Sequence, residues 1–161
     1  MEIRKYQETD SEEILQLFKE TIFTINKEDY SQEQLGIWAN SFRKEELNYR
    51  LENSLTFVAV TDGKIVGFGN LNEQAVIDLL YTHKDFQGQG IASKILNKLE
   101  SEAKLKGFNE TYTEASITAK PFFEAKGYEV ERKQEKPVKE TIFINFIMRK
   151  KLNGPNIKTY I

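Results

Sequence analysis

The chain has 161 residues, no cysteine, one histidine and a formal charge of −2 from 23 basic and 25 acidic side chains. That inventory excludes disulfides, thiolate metal sites and a cysteinyl-acyl intermediate. It also argues against a histidine-rich zinc site and against the basic field that drives nucleic-acid binding. Hydrophobic residues make up 39% and aromatics 12%, enough for a single packed domain, expected over residues 1–150 with 151–161 as a C-terminal tail.

Glu2–Tyr6 reads as a short edge strand. Met1–Lys5 lacks the apolar core of a secretory signal, and no apolar run reaches membrane-spanning length, so a cytoplasmic protein without membrane partners is expected. Asp10 with Glu13 looks like a helix start, and Ile14, Leu17, Phe18 and Ile22 follow at helical spacing. Ser31 and Gln34 form a second capping-box pattern ahead of Leu35, Trp38 and Phe42. A third short helix is expected over Glu45–Glu52. Leu55–Thr61 and Lys64–Asn70 are β-rich and flank Asp62-Gly63, a strong hairpin turn. Ala75–Thr82 is the next strand. The helix after it buries Ile91, Ile95, Leu99 and Ala103 and stops at Gly107. Asn109–Thr113 reads as a strand, and Ala119–Lys126 as a short helix with Pro121 in its first turn and Gly127 as its stop. Tyr128–Arg132 and Thr141–Arg149 make a closing antiparallel pair. Asn153–Ile161 shows no periodicity and is expected to be loose.

The most informative stretch is Asp78–Ser93, where an apolar strand runs through a glycine turn into a helix. Gly88 and Gly90 let the backbone bend and approach a ligand, and the helix N-terminus offers free N–H groups and partial positive charge to a phosphate. A P-loop would carry Lys-Ser/Thr after its last glycine, but Ile91-Ala92 stands there. A dinucleotide fingerprint would carry a third glycine where Ser93 sits. Glu110 near the expected acidic position keeps a nucleotide-binding oxidoreductase as a weaker alternative. The pattern Gln/Arg-x-x-Gly-x-Gly/Ala is matched in full by Gln87-Gly88-Gln89-Gly90-Ile91-Ala92. This loop, with Ile77–Phe86 before it, resembles the acyl-CoA pyrophosphate loop of the GNAT family of N-acetyltransferases. Glu114–Tyr128 resembles the second signature of that family, with Ser116, Ala119, Phe122 and Gly127-Tyr128 at the matching places. The wording Ala-Ser-Ile-Thr-Ala-Lys-Pro-Phe-Phe-Glu, with Tyr30-Ser31 and Trp38-Ala39, is similar to the YafP-type subgroup. The resemblance covers residues 1–150.

The resemblance implies an α/β fold of the α+β kind. Its sheet is mixed and mostly antiparallel, with one splayed parallel strand pair, and is flanked by helices. It implies transfer of an acetyl group from acetyl-CoA to an amine of a small molecule or peptide, with no metal. The strand backbone of Leu80, Tyr81 and Thr82 would hold pantetheine. Gln87, Gly88, Gln89, Gly90, Ile91, Ala92 and Ser93 would hold the pyrophosphate, and Phe123 would also border the cofactor. Phe123 stands where many members carry a tyrosine that protonates the leaving thiolate, and Ser116 is the candidate substitute. Asp78 stands at an acidic place and inside an apolar strand, where a carboxylate is costly unless it is paired or functional. A general base and a salt-bridged strand residue are both open readings for it. His83 is expected at the surface, and Tyr30, Trp38 and Phe42 in the acceptor pocket or the helix core. Lys120 is either near the CoA phosphates or solvated. The alternative function is a non-catalytic acyl-CoA-binding module, and a homodimer through the final strand is open.

Overall fold

The computed structural model describes residues 1–152. Strand β1 (Glu2–Lys5) leads into three helices, α1 (Ser11–Ile25), α2 (Gln32–Ala39) and α3 (Lys44–Glu52). Strands β2 (Leu55–Thr61), β3 (Lys64–Leu71) and β4 (Val76–Thr82) follow. Then come α4 (Ile91–Leu105), β5 (Glu110–Ser116), α5 (Lys120–Ala125), β6 (Glu129–Val138) and β7 (Thr141–Lys151). The strands form one seven-stranded sheet in the order β1-β2-β3-β4-β5-β7-β6. Every pairing is antiparallel except β4 with β5.

That parallel pairing is short. Only Val76 faces Tyr112 and Ile77 faces Thr113, with the Thr113 hydroxyl donating to the Ile77 carbonyl at 2.9 Å. Beyond Ile77 the two strands part, which is the splayed pair expected from the sequence. The parted edges form the walls of a cleft.

Apolar burial places the helices on the two faces of this sheet. Ile14, Leu17, Phe18 and Ile22 of α1 pack with Leu35, Leu47 and Phe68 on one face. Ile91, Ile95, Leu99 and Ala103 of α4 pack with Phe57, Val66, Ile77 and Met148 on the other. Burying a large aliphatic or aromatic side chain is worth about 1.5–3 kcal/mol, against less than ~1 kcal/mol between ordinary helix propensities. The apolar stripes therefore decide where these helices lie. Strand β3 meets α4 at Gly67 and Gly69, which have no side chain. A Cβ on Gly67 would fall 2.8 Å from Ile91 Cγ2, and one on Gly69 would fall 3.0 Å from Ile95 Cγ2.

Several local expectations change. Asp10 makes no side-chain cap for α1. Its carboxylate instead accepts two 2.9 Å hydrogen bonds from Arg4 and one of 2.8 Å from the Gln7 amide. Ala75 is not in a strand but at φ 64°, in the turn before β4. Helix α2 ends at Ala39, so Phe42 lies outside it. Strand β6 runs on to Val138, and its exposed edge carries Pro137 and charged side chains of the kind that discourage pairing with another chain. Strand β7 is paired on both sides, with β5 and with β6, so a second copy cannot add to the final strand by backbone pairing. Lys151 is still paired with Glu110, and Leu152 is buried and donates its amide to the Asn109 carbonyl at 2.8 Å. The packed chain thus extends beyond residue 150, and the rest of the expected tail lies outside the described residues.

Candidate active site

The cleft between β4 and β5 has a volume of about 610 Å³ and is bordered by both helical layers. Leu80, Tyr81, Thr82, Gln87 and Ala92 border it on the β4–α4 side, and Ser116, Phe122 and Phe123 on the β5–α5 side. Asp78, Arg50, Tyr30 and Trp38 border it toward α2 and α3.

The glycine loop is built by backbone conformation. Gly88 and Gly90 have φ of 75° and 80°, the left-handed region that a side chain disfavours. A Cβ at either position would meet no protein atom within 4 Å. Conformation and room for a ligand, rather than crowding by the protein, explain the two glycines. Gln87 closes the loop by donating from Nε2 to the Thr82 carbonyl at 2.8 Å. Gly90 is the N-cap of α4, and no side chain caps that helix start. The first-turn amides at Ile91, Ala92 and Ser93 therefore lack intrahelical partners and suit an anion.

Asp78 stands one residue beyond the parallel pairing. Oδ2 accepts from Arg50 Nε at 2.7 Å, and Oδ1 accepts from Arg50 Nη2 at 2.6 Å. Asn70 Nδ2 adds a third, longer bond to Oδ2 at 3.2 Å. A carboxylate has about four lone-pair positions, so Oδ1 keeps one open. Arg50 also lies over the Phe42 ring, 5.0 Å from its centroid. Asn70, fully buried, accepts the Leu79 amide on Oδ1 at 2.8 Å where the β3–β4 register shifts. Neither Arg50 nor Asn70 belongs to a sequence motif. A buried polar residue in the apolar run Gly67–Leu71 was the one available signal for Asn70. Arg50, on another element 28 positions from Asp78, left no local signal.

Tyr30 joins three segments. Its hydroxyl accepts from the Ile117 amide at 2.9 Å and donates to the Ile144 carbonyl at 2.8 Å, while its ring meets Trp38 edge-on at 5.2 Å. It is buried in the helical core and also borders the cleft. Phe42 instead packs edge-on against Phe18. Burial pushes the Tyr81 phenol well above its ordinary value, partly opposed by a hydrogen bond with Trp38, so this hydroxyl stays protonated. Ser116 Oγ accepts from the Ala119 amide at 3.0 Å, which leaves its own proton free to donate. Phe123 is 4% exposed, edge-on to Phe122 and Tyr128, and offers no proton.

His83 lies away from this cleft and, against expectation, is buried. Its Nδ1 accepts the Asp85 amide at 3.0 Å, and burial, helped by Lys64, lowers its pKa. Lys120 pairs with Glu124 at 3.3 Å and lies over Phe146. Among the described residues no group of three or more acidic or histidine side chains is arranged to hold a metal ion. No described helix is long and apolar enough to cross a membrane.

A sheet opened at one parallel pair, with a glycine loop and helix N-terminus at the mouth of the opening, defines an acyltransferase of the acetyl-CoA type. The family model for the GNAT acetyltransferase domain matches residues 26–152, and the chain belongs to that family. It is 31% identical over 151 residues to the uncharacterized N-acetyltransferase YafP of Escherichia coli K12, covering 94% of this chain and 96% of that one. A GCN5-related N-acetyltransferase from Rhodopseudomonas palustris superposes with a TM-score of 0.90 at 28% identity, covering 93% of this chain and 94% of that one. PaiA N-acetyltransferase from Thermoplasma acidophilum, solved with coenzyme A, superposes at 0.78 with 24% identity, covering 93% and 98%. The protein is an N-acetyltransferase, and the reading as a non-catalytic binding module is not favoured.

Proposed function

We propose that the protein transfers an acetyl group directly from acetyl-CoA to a primary amine of a small molecule or peptide, with Asp78 receiving the amine's proton. The observation that carries this is the position of Asp78, in the cleft at the first residue past the parallel pairing, with one lone pair of Oδ1 open. In this reading the CoA pyrophosphate rests on the amides of Gln87–Ser93, and pantetheine lies along the β4 backbone at Leu80, Tyr81 and Thr82 with Phe123 beside it. The acceptor ammonium loses a proton to Asp78, directly or through one water, and attacks the thioester carbon. The carbon–sulfur bond then breaks as the amide bond forms. The thiolate takes one proton from Ser116, which solvent restores, and one proton is released overall.

The test is thiol release from acetyl-CoA with a panel of amines, run on wild type and Asp78→Asn. General-base assistance is worth about 10²–10⁴-fold, so kcat should fall by roughly that factor at neutral pH with CoA affinity nearly unchanged. The loss should shrink at high pH, where more of the acceptor is already neutral. A folded Asp78→Asn enzyme with unchanged kcat would remove Asp78 from proton transfer. A mutant that loses melting temperature and CoA affinity together at every pH would mark the residue as structural.

A further inference from the structure

Arg50 carries more hydrogen-bonding capacity than Asp78 uses. A guanidinium has five N–H groups in a planar fork. The ion pair engages Nε and one hydrogen of Nη2. Both hydrogens of Nη1 and the second of Nη2 have no protein acceptor among the described residues. They form the end-on edge of the guanidinium, whose two parallel N–H vectors match a carboxylate. The edge is held in place, because Asp78 grips the other side of the fork and Phe42 lies against its face. Arg50 borders the cleft, and its side chain is 44% exposed.

The charges nearby restrict what that ligand is. Both carboxylates bordering this end of the cleft already have cations: Asp78 has Arg50, and Glu114 has Lys136 at 3.0 Å. A polyamine or aminoglycoside would bring several further cations to a site whose two carboxylates are already paired, leaving those cations without acidic partners. An acceptor with one amine and one carboxylate adds no net charge. Its two groups also find adjacent partners, since Nη2 of Arg50 touches both the free edge and Asp78 Oδ1.

Resting on the acetyl-transfer reading above, we propose that the acceptor is a small zwitterion of the α- or β-amino-acid type. Its carboxylate lies on the Nη1–Nη2 edge of Arg50, and its ammonium faces the open lone pair of Asp78 Oδ1. Arg50 then sets specificity. The ammonium gives up one proton on the way to attack and the tetrahedral adduct a second. The thiolate takes one and solvent the other, so the products are the N-acetyl amino acid, CoA thiol and one proton.

The experiment compares matched triplets: leucine, leucinamide and isoamylamine, then phenylalanine, phenylalaninamide and phenethylamine, with spermidine as a polycation. Thiol release gives kcat/KM, and calorimetry on the protein–CoA complex gives each Kd. Hydrogen bonds between charged groups imply a preference for the free amino acid of about ten- to a hundredfold over both analogues. In Arg50→Lys, which still offers Asp78 a cation but no fork, the ratio should fall to within about threefold. If that variant does not fold, the wild-type Kd ratios decide alone. An amide, a decarboxylated amine or spermidine used as well as or better than the amino acid would overturn the proposal while leaving acetyl transfer intact. Preferential binding of the amino acid without any thiol release would support the site and sink the transfer reading. Neither transfer nor discriminating binding would sink both.

Discussion

At the residue scale, the leaving group needs less help than the nucleophile. A free thiol has a pKa of about 8.5, so a departing thiolate is only a moderate base near neutrality. Phe123 in the place of a tyrosine is then tolerable, and in the proposed mechanism Ser116 assists without being required. Ser116→Ala is expected to lower kcat by less than about tenfold, well under the range typical of an essential proton donor. It should also cost about 1 kcal/mol in stability, because the Ala119 amide loses its acceptor. Steady-state rates beside a melting curve separate the two effects, and a thousandfold loss of kcat in a folded mutant would make Ser116 indispensable. Residues of this kind differ in how far they can be read in advance. Ser116 and Phe123 were visible because a contiguous signature surrounds them. The alternative kept open for Asp78, a salt-bridged strand residue, describes its contacts, but the partner could not be named. Arg50 reaches it from α3, 28 positions away in the chain, and no local pattern encodes that.

At the scale of single elements, the glycine turn before α4 and the helix start after it were legible in the sequence. Turn, cap and helix start are all local, and each glycine sits where a positive φ is required. Gly90→Val is expected to fail on two counts, strain at φ 80° and a side chain in the space the pyrophosphate would occupy. CoA affinity measured calorimetrically should drop at least about tenfold in a protein that still folds, and unchanged affinity would move the pyrophosphate elsewhere. Helix α1 starts where the sequence places it, with Asp10 at the N-cap, but the Asp10 side chain makes no capping bond, for an equally physical reason. An Asp followed by a Glu three residues on looks like a cap, but Arg4 on β1 competes for that carboxylate. Burial alone would push the Asp10 carboxyl up, yet the Arg4 hydrogen bonds and the Gln7 amide hold it below its ordinary value. A group depressed on folding adds stability above its unfolded pKa of about 4, and that contribution fades as pH falls through the folded value. Asp10→Asn should therefore cost about 1–3 kcal/mol at pH 7, with the gap to wild type closing in acid. Denaturant melts at pH 7 and pH 3 check this, and a gap independent of pH would mean that the carboxylate's charge is irrelevant.

At the scale of the whole molecule, the sheet is two antiparallel halves, β1–β4 and β5–β7, joined by only two facing residue pairs. Something else must hold the halves at a fixed separation. The crossover helix α4 does so on one face. Tyr30 does so on the other, reaching from the segment between α1 and α2 to the end of β5 and to β7 with one hydroxyl. The chain order of elements and, through the family resemblance, the one splayed parallel pair were expected, but this bridge, spanning 87 and 114 positions, was not. Tyr30→Phe would leave a part-buried amide and carbonyl without their partner, costing about 1–3 kcal/mol. If the proposed acceptor pocket lies against this wall of the cleft, the substitution should raise the acceptor KM more than the CoA Kd. Equal effects on both would mean that the hydroxyl only supports the fold.

The bare stretch of β3 has a mechanical consequence. Ile91 and Ile95 sit in the space that Gly67 and Gly69 leave open, like teeth of a gear in their notches. The helix can neither slide along the sheet nor roll on it without lifting those teeth out. Its first turn, where the proposed pyrophosphate seat lies, is therefore set by a contact with the sheet. Wear at that contact would be felt as a misplaced cofactor before it was felt as a weaker fold.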